Sequence, residues 1–245
     1  LSTGSCRIMY GEYCVPQLSH QANGKFAVTE MYHPLIPEGV RNSITAERSV
    51  LLTGSNASGK STFIKTVALN AILAQTLHTV LAENYQASWF CIASSMALRD
   101  DILSQESYYI VEIRSLKRIL DLTRSSELPV LCFIDEVLRG TNTVERIAAS
   151  SRILQAIAEQ GGLCFAATHD IELTYLLEKE YDNYHFEEQV EDDKVTFDYC
   201  LREGRACTRN AIRLLKMLGY DEKIVDDANE RVALFLKSGN WVSSH

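Results

Sequence analysis

The sequence GSNASGKST, from Gly54 to Thr62, is the strongest indication of the fold class of this chain. It fits the pattern G-x-x-x-x-G-K-[ST], in which a glycine-rich loop turns backbone N–H groups inward around phosphate oxygens. In this pattern Lys60 places a positive charge on the β- and γ-phosphates, and the Ser61 hydroxyl completes a Mg²⁺ shell. The sequence therefore predicts a loop that binds ATP with Mg²⁺. The predicted binding residues are Gly54, Ser55, Asn56, Ala57, Ser58, Gly59, Lys60, Ser61 and Thr62.

The loop lies between a predicted strand and a predicted helix. Val50–Leu52 is short and apolar, and Phe63–Leu77 has the pattern of a helix, whose N-terminus favours bound phosphate. Further strands and helices are predicted to alternate along the chain: Trp89–Ala93, Ser107–Arg124, Val130–Ile134, Thr143–Gln160 and Leu163–Ala167. Uninterrupted apolar strands indicate burial on both faces, which is typical of parallel sheets. The predicted fold class is α/β, a mixed or parallel sheet flanked by helices.

Other elements are predicted at the two ends of the chain. Residues 1–40 are expected to be an irregular lead-in with a short strand near Phe26, which suits the tail of a preceding helical domain. The C-terminal part is predicted to hold a hairpin and two helices: a turn at Glu191–Lys194 before alternating apolar residues from Val195 to Leu201, then Thr208–Leu218 and Asp221–Leu236. Residues 237–245 are expected to be a flexible tail. Because the sequence starts with Leu1, we expect it to be a fragment of a longer protein.

Composition and charge exclude several classes of function. No apolar run approaches the roughly 20 residues that cross a bilayer, so no membrane contact is expected. The net charge of −8 argues against a surface that grips DNA by itself, because phosphate neutralisation needs a basic protein face. The seven cysteines include no C-x-x-C pair, so zinc is not expected and a reducing cytoplasm fits best.

Four further residues, at three places in the sequence, carry side chains that nucleotide hydrolysis needs. Asp135 and Glu136 follow an apolar strand, where one carboxylate can hold Mg²⁺ and the next can accept a proton from the attacking water. His169 ends the next strand and can bond the γ-phosphate, and Ser107 can meet a γ-phosphate bound by a second subunit. Plain alternatives stay open for each: a solvated acidic loop, a surface histidine and a helix N-cap.

Together these segments resemble one known family. The residues that carry the resemblance are HPLI (His33–Ile36), GSNASGKST (Gly54–Thr62), DDILSQESYYIVEI (Asp100–Ile113), IDEVLRGTNTVE (Ile134–Glu145) and AATHDIELT (Ala166–Thr174). In this order they resemble the ATPase domain of the MutS family of DNA mismatch-repair proteins, over roughly residues 25 to 235. The resemblance implies a P-loop NTPase fold of the ABC ATPase type at residues 41–236, working as a homodimer with two nucleotides buried between its subunits.

The resemblance also implies roles for individual residues. Asp135 matches the acid that holds Mg²⁺ together with Ser61, and Glu136 matches the general base. His169 matches the switch histidine, and Ser107 the serine that acts on the partner's nucleotide. Asn42 matches an asparagine near the nucleotide. The loop that faces the partner subunit is Arg139, Gly140, Thr141, Asn142 and Thr143.

The function that follows is an ATP-hydrolysing module of a MutS-like DNA repair or recombination protein. ATP is expected to close the dimer, coupled to mismatched or branched DNA held by domains outside this chain. Gly39 stands where the family offers an aromatic ring to adenine, so the resemblance supplies no residue that stacks on the base. Two alternatives remain: the energy-coupling subunit of a membrane transporter, which shares the ABC plan, and a dimerisation module with little hydrolysis.

Overall fold

A computed structural model of the chain describes residues 12–20, 24–36, 38–55, 57–96, 108–138, 142–191, 194–206 and 211–239. The chain divides into a larger unit, Leu1–Glu187 with Asp198–Ala206, and a smaller unit, Glu188–Phe197 with Cys207–His245. The strands are β1 (Gln17–Ser19), β2 (Phe26–Met31), β3 (Asn42–Ala46), β4 (Ser49–Thr53), β5 (Asn84–Ser88), β6 (Cys91–Ser95), β7 (Val130–Asp135), β8 (Leu163–Ala167), β9 (Tyr181–His185), β10 (Glu188–Glu191), β11 (Lys194–Phe197) and β12 (Arg202–Glu203). The helices are α1 (Lys60–Thr76), α2 (Tyr108–Ser125), α3 (Thr143–Glu159), α4 (Leu173–Leu176), α5 (Ala211–Met217) and α6 (Glu222–Ser238).

The main sheet of the larger unit has the strand order β12-β9-β4-β8-β7-β6. Neighbouring strands from β9 to β6 pair in parallel, and β12 adds an antiparallel edge. The predicted α/β class with a mixed or parallel sheet is therefore confirmed. Parallel pairing brings the carboxyl ends of β4, β8 and β7 to one edge of the sheet.

Both faces of this sheet are buried, as the unbroken apolar runs predict. Successive residues of β8 alternate between two cores: Leu163, Phe165 and Ala167 face one, and Cys164 and Ala166 face the other. The first core also holds side chains of α1, namely Phe63, Ile64 and Val67. The second core holds side chains of α2 and α3, namely Leu116, Ile119, Leu154 and Ile157. Because β8 is covered on both faces, neither face needs polar side chains, and its sequence is therefore apolar throughout.

A second sheet of the larger unit has the strand order β1-β5-β2-β3. Its β1 runs parallel to β5, whereas β2 is antiparallel to both β3 and β5. Phe26 of β2 meets Phe165 of β8 edge to face, with ring centroids 5.5 Å apart. Strands from the predicted lead-in therefore share a core with the main sheet.

Asn70 of α1 forms hydrogen bonds with the segment after β2 and the segment before β5 of this second sheet. Its side chain is fully buried, and its amide donates to the carbonyl of Tyr32 at 3.1 Å and to that of Thr66 at 3.0 Å. Its carbonyl accepts the Leu81 N–H at 2.9 Å. Buried backbone groups need such partners, so this one side chain supports the ends of β2 and β5.

The smaller unit contains the predicted hairpin and C-terminal helices. Strands β10 and β11 pair antiparallel from Glu188–Phe197 to Glu191–Lys194. Helix α6 begins after Asp221, whose carboxylate accepts the Lys223 N–H, and ends at Gly239 with φ of 70°. These are the capping features that helix ends favour. Several predicted parts lie outside the described residues: 1–11 of the lead-in, 192–193 of the turn, 208–210 of the first C-terminal helix and 240–245 of the tail.

Two strand limits differ from the sequence-based prediction. The strand predicted at Trp89–Ala93 begins only at Cys91, because the Gln75 side chain takes both the N–H and the carbonyl of Phe90. The alternation to Leu201 ends early, since β11 stops at Phe197 and Tyr199 has a φ of 54°. Within the described part of the chain, no helix is long and apolar enough to cross a bilayer.

Replacing Asn70 by leucine tests the role of these hydrogen bonds. Asn70→Leu keeps the side-chain volume but removes the acceptor of the buried Leu81 N–H and the amide that donates to the Tyr32 carbonyl. Each such loss costs about 1–3 kcal/mol, so we expect a loss of roughly 2–5 kcal/mol in the free energy of unfolding. Urea denaturation followed by circular dichroism measures it. The control Thr76→Val removes an exposed hydroxyl from the same helix and should stay within about 0.5 kcal/mol of wild type. Equal stability of the two variants would contradict the assignment.

Candidate functional site

Three neighbouring strands of the main sheet end at the edge where the predicted site residues lie. The loop follows β4, the carboxylates end β7, and His169 follows β8. Two backbone bonds fix the exits of these strands: Glu136 N–H donates to the Ala167 carbonyl at 3.0 Å, and Thr168 N–H donates to the Leu52 carbonyl at 2.9 Å. The structure thus brings Lys60, Asp135 and His169 into one region, although they lie far apart in sequence.

The loop has the backbone that its glycines permit. Gly54 has a φ of 142° and Gly59 a φ of 111°, values that larger residues rarely adopt. A Cβ atom on Gly54 would lie 2.7 Å from the Phe186 carbonyl oxygen, so a side chain does not fit there. Gly59 precedes α1 and has no side chain to cap the helix. The first N–H groups of α1 are therefore not covered by a cap, which is the arrangement that receives an anion.

Lys60 points into the loop. Its ammonium donates to the carbonyls of Gly54 and Ser55, each at 2.8 Å, and only 5% of the residue is exposed. A buried ammonium that donates to two neutral carbonyls would form stronger hydrogen bonds with an anion such as phosphate. The lysine thus lies where the loop pattern predicts a phosphate contact.

Ser61 and Asp135 form the predicted pair for the metal. The Ser61 hydroxyl donates to Asp135 Oδ1, with 3.0 Å between the oxygens. Mg²⁺ binds oxygen at roughly 2.0–2.1 Å in an octahedral shell, so adjacent ligands lie about 3 Å apart. The two oxygens already have the spacing of neighbouring Mg²⁺ ligands, so these residues fit the metal.

Glu136 and His169 contact each other beside the loop. His169 Nε2 lies 3.1 Å from Glu136 Oε1, and the two side chains are 36% and 14% exposed. Glu136 has a φ of 61°, so its backbone leaves the extended conformation of β7. A carboxylate in this position can take a proton from water, and the adjacent imidazole can orient it.

A cavity of about 650 Å³ opens beside the loop, within the range of small-molecule sites. Its wall combines residues of the loop, α1, β2, the His33–Asn42 segment and the Phe186 and Tyr199 regions. The lining residues are Met31, His33, Ile36, Glu38, Gly39, Val40, Asn42, Ser55, Ala57, Ser58, Gly59, Lys60, Ser61, Thr62, Phe63, Thr66, Glu136, Phe186 and Tyr199. The cavity is therefore continuous from the predicted phosphate loop to an apolar part that suits a flat ring.

Tyr199 is a wall residue that the sequence did not indicate. Its ring lies against the loop, because a Cβ atom built on Gly59 would be 3.2 Å from Tyr199 Cδ1. The predicted residue Asn42 holds this segment: its amide donates to the Tyr199 carbonyl at 3.0 Å and accepts the Leu201 N–H at 2.7 Å. An aromatic face thus lines the cavity although Gly39 offers none. No local sequence signal points to it, since the contact joins positions 157 residues apart.

His33 lies on the same wall in its neutral form. Partial burial lowers the pKa of His33, and the positive charge of Lys65 lowers it further. Its Nδ1 atom accepts the Leu35 N–H at 3.1 Å, which requires an unprotonated nitrogen. Near neutral pH this wall therefore adds no positive charge to the cavity.

The predicted partner-facing loop is described only in part. Asn142 accepts the Val144 N–H at 2.9 Å and caps α3, which begins at Thr143. One turn later Arg146 makes two bonds to the Asp170 carboxylate, next to His169. This ion pair raises the pKa of Arg146 and fastens α3 to the end of β8. Five predicted site residues lie outside the described part of the chain: Asn56, Ser107, Arg139, Gly140 and Thr141.

The sequence is similar to those of known DNA mismatch repair proteins. A DNA mismatch repair protein MutS of Pseudothermotoga lettingae is 33% identical over 235 residues, 91% of this chain and 28% of that protein. MutS of Natronomonas pharaonis is 31% identical over 227 residues, 89% of this chain and 26% of that protein. The DNA mismatch repair protein MSH3 of Phaeosphaeria nodorum is 30% identical over 200 residues, 79% of this chain and 18% of that protein.

The chain spans about a quarter of the length of the MutS relatives that it matches. Residues 50–235, which include the loop, both carboxylates and His169, match the family model of MutS domain V. That match covers more than half of the chain, and it agrees with the resemblance that the sequence motifs indicate. The chain therefore belongs to the MutS domain V family.

Proposed function

We propose that this chain is the ATP-binding and ATP-hydrolysing module of a MutS-like DNA repair or recombination protein. One observation carries the proposal: the loop lysine, the Ser61–Asp135 oxygen pair and the Glu136 carboxylate meet at one edge of a parallel sheet. Phosphoryl transfer to water needs these three groups, a cation for the phosphates, a Mg²⁺ site and a base. The family membership of the chain supports the same conclusion.

The residues have distinct tasks in this proposal. Loop N–H groups and Lys60 bind the β- and γ-phosphates, and Ser61 with Asp135 holds Mg²⁺, which supplies charge that neutralises phosphate oxygens. Glu136 accepts the proton of the attacking water, and His169 keeps that carboxylate oriented. Because His169 contacts Glu136 at 3.1 Å, it can also respond to a γ-phosphate by changing partner.

The base of the nucleotide occupies the apolar part of the cavity. Tyr199 provides the aromatic face for it, and the neutral His33 ring adds a polar edge. Aromatic stacking is tolerant of base identity, so it supplies affinity more than specificity. Asn42 supports the nucleotide through Tyr199, whose carbonyl it bonds.

The remaining parts of the proposal concern the assembly. The domain is of the ABC ATPase type over residues 41–236, and β1 and β2 of the preceding segment complete its second sheet. Two copies close on ATP through this face, with Ser107 and the Arg139–Thr143 loop at the contact. DNA, mismatched or branched, is bound by domains outside this chain, since a net charge of −8 disfavours phosphate binding by the chain itself.

The two alternatives predict different behaviour. Membership in the MutS domain V family argues against a transporter subunit. A dimerisation module with little hydrolysis is the stronger alternative. It requires ATP to bind at Lys60 without any dependence of turnover on Glu136.

Replacing Lys60 tests the phosphate subsite. Lys60→Ala removes the cation from the loop, and charge-assisted bonds contribute roughly 1.5–3 kcal/mol, so we expect a loss of about 10–100-fold in ATP affinity. Isothermal titration calorimetry measures the affinity. The control Lys117→Ala removes an exposed lysine from α2, paired only with Asp121 among the contacts described for it, and should bind ATP as wild type does. Undiminished binding by Lys60→Ala would remove the loop from the site.

Replacing Glu136 separates hydrolysis from binding. Glu136→Gln keeps the size of the side chain but cannot accept the proton, so we expect ATP binding to persist while turnover falls about 10²–10⁴-fold. Phosphate release under saturating ATP-Mg²⁺ measures turnover. Glu127→Gln, at the opposite end of β7, is the matched control and should keep wild-type turnover. Unchanged turnover in Glu136→Gln would remove Glu136 from the mechanism, and equally slow turnover in the wild type and both variants would favour the dimerisation module.

Replacing Tyr199 tests the base subsite independently of the phosphates. Stacking on an aromatic ring contributes roughly 1–3 kcal/mol, so Tyr199→Ala should weaken ATP binding by about 5–150-fold. Inorganic tripolyphosphate, which has no base, should bind both proteins equally in the same calorimetric titration. Tyr199→Phe retains the ring and should retain ATP affinity. If tripolyphosphate and ATP lose affinity together, Tyr199 supports the loop and does not stack on the base.

A further inference from the structure

A buried carboxylate outside the nucleotide cavity bonds the loop that carries Glu136. Glu112 lies one turn into α2, and only 1% of the residue is exposed. Its Oε1 atom accepts the backbone N–H of Leu138 at 2.5 Å. Burying an acidic side chain is costly unless it serves a specific partner, and here one partner is a main-chain amide two residues after Glu136.

The loop that Glu112 bonds has an unfavourable backbone. Glu136 has a φ of 61° and Leu138 a φ of 56°, both in the left-handed region that disfavours side chains larger than glycine. Such a conformation persists only where the surroundings hold it in place. With this conformation, directly after β7, Glu136 lines the cavity.

The surroundings hold the loop from two sides. On one side, Glu136 N–H donates to the Ala167 carbonyl of β8 at 3.0 Å. On the other, Leu138 N–H donates to Glu112, and Leu138 is buried in the same core as Leu116 of α2. Helix α2 is a firm support because Leu116 and Ile119 are 1% and 0% exposed. The loop therefore spans two fixed points, β8 and Glu112.

We propose that Glu112 is a positioning residue that sets the direction of the Glu136 carboxylate. This inference rests on the proposed ATP hydrolysis, in which Glu136 is the base. Glu112 is not among the described residues that line the cavity, and its bond to the Leu138 N–H connects it to the backbone that follows Glu136. It acts on turnover through the backbone of residues 136–138, and it has no part in binding ATP.

The bond also has a purely structural explanation, in which Glu112 only satisfies the Leu138 N–H. The two explanations differ in what removal of Glu112 does once Glu136 is neutral. A positioning residue loses its effect when the group that it positions no longer works, whereas a structural residue keeps its effect. A double-mutant cycle between Glu112 and Glu136 therefore separates them.

The experiment uses three replacements of Glu112 in the full chain. Glu112→Ala removes the acceptor. Glu112→Asp keeps the charge but is one methylene shorter, so its carboxylate does not reach the Leu138 N–H. Glu112→Gln keeps an oxygen acceptor at full reach and loses the charge. ATP affinity and kcat are measured for each, together with amide hydrogen exchange at Glu136 and Leu138.

We expect kcat to fall about 10–100-fold in Glu112→Ala and Glu112→Asp, the size that misplacement of a catalytic group produces. ATP affinity should stay within about twofold, and Glu112→Gln should keep kcat within about threefold, because the acceptor remains. In the Glu136→Gln background, Glu112→Ala should lower kcat by less than about twofold. Additive losses, or an active Glu112→Asp beside an inactive Glu112→Gln, overturn the proposal.

Amide exchange decides the question even if a variant lacks measurable turnover. Amide exchange at both Leu138 and Glu136 should be faster in Glu112→Ala and Glu112→Asp than in the wild type. In Glu112→Gln it should be as slow as in the wild type at both positions. Fast exchange confined to Leu138 overturns the positioning role, since Glu136 would then be held without Glu112. If the wild-type chain binds ATP but shows no turnover under any condition, the proposed hydrolysis fails, while the exchange pattern still tests the link between Glu112 and the Glu136 backbone.

Discussion

Parallel pairing of β4, β8 and β7 is the constraint on which the candidate site depends. Because these strands run in the same direction, their carboxyl ends open at one edge, and each releases a different functional group there. The pairing is in turn stabilised by burial on both faces, which the two cores provide. The chemistry of the edge and the apolar content of the strands are thus two consequences of one topology.

Much of this site follows from local sequence. The loop pattern and the buried strands at Val130 and Leu163 are continuous segments, and the residue types within each segment predict its conformation and its burial. Tyr199 was not predicted, because its place in the cavity comes from a bond to Asn42 on a distant strand and from a left-handed backbone. Glu112 was not predicted for a similar reason, since only the folded chain shows that its partner is Leu138.

Strand limits were hardest to predict where side chains replace the strand hydrogen bonds. Gln75 takes the backbone of Phe90, so β6 begins later than its apolar run. Asn42 does the same for the residues around Tyr199, so alternation there does not mean a strand. In both places the sequence pattern is wrong about strand pairing, because the competing partner is remote in sequence.

In β7, as in β8, successive residues alternate between the two cores: Leu131 and Phe133 face the first, and Val130, Cys132 and Ile134 face the second. This alternation has a consequence for how the domain can change over evolution. A deletion of one residue inside this strand would exchange the side chains on one side of the deletion between the two cores, and if that side includes Asp135 it would turn the carboxylate away from Ser61. The connecting segment before it, near Ser126 and Leu128, faces no such demand and can vary in length. Divergent relatives are therefore free to acquire insertions before β7 but must inherit its spacing intact.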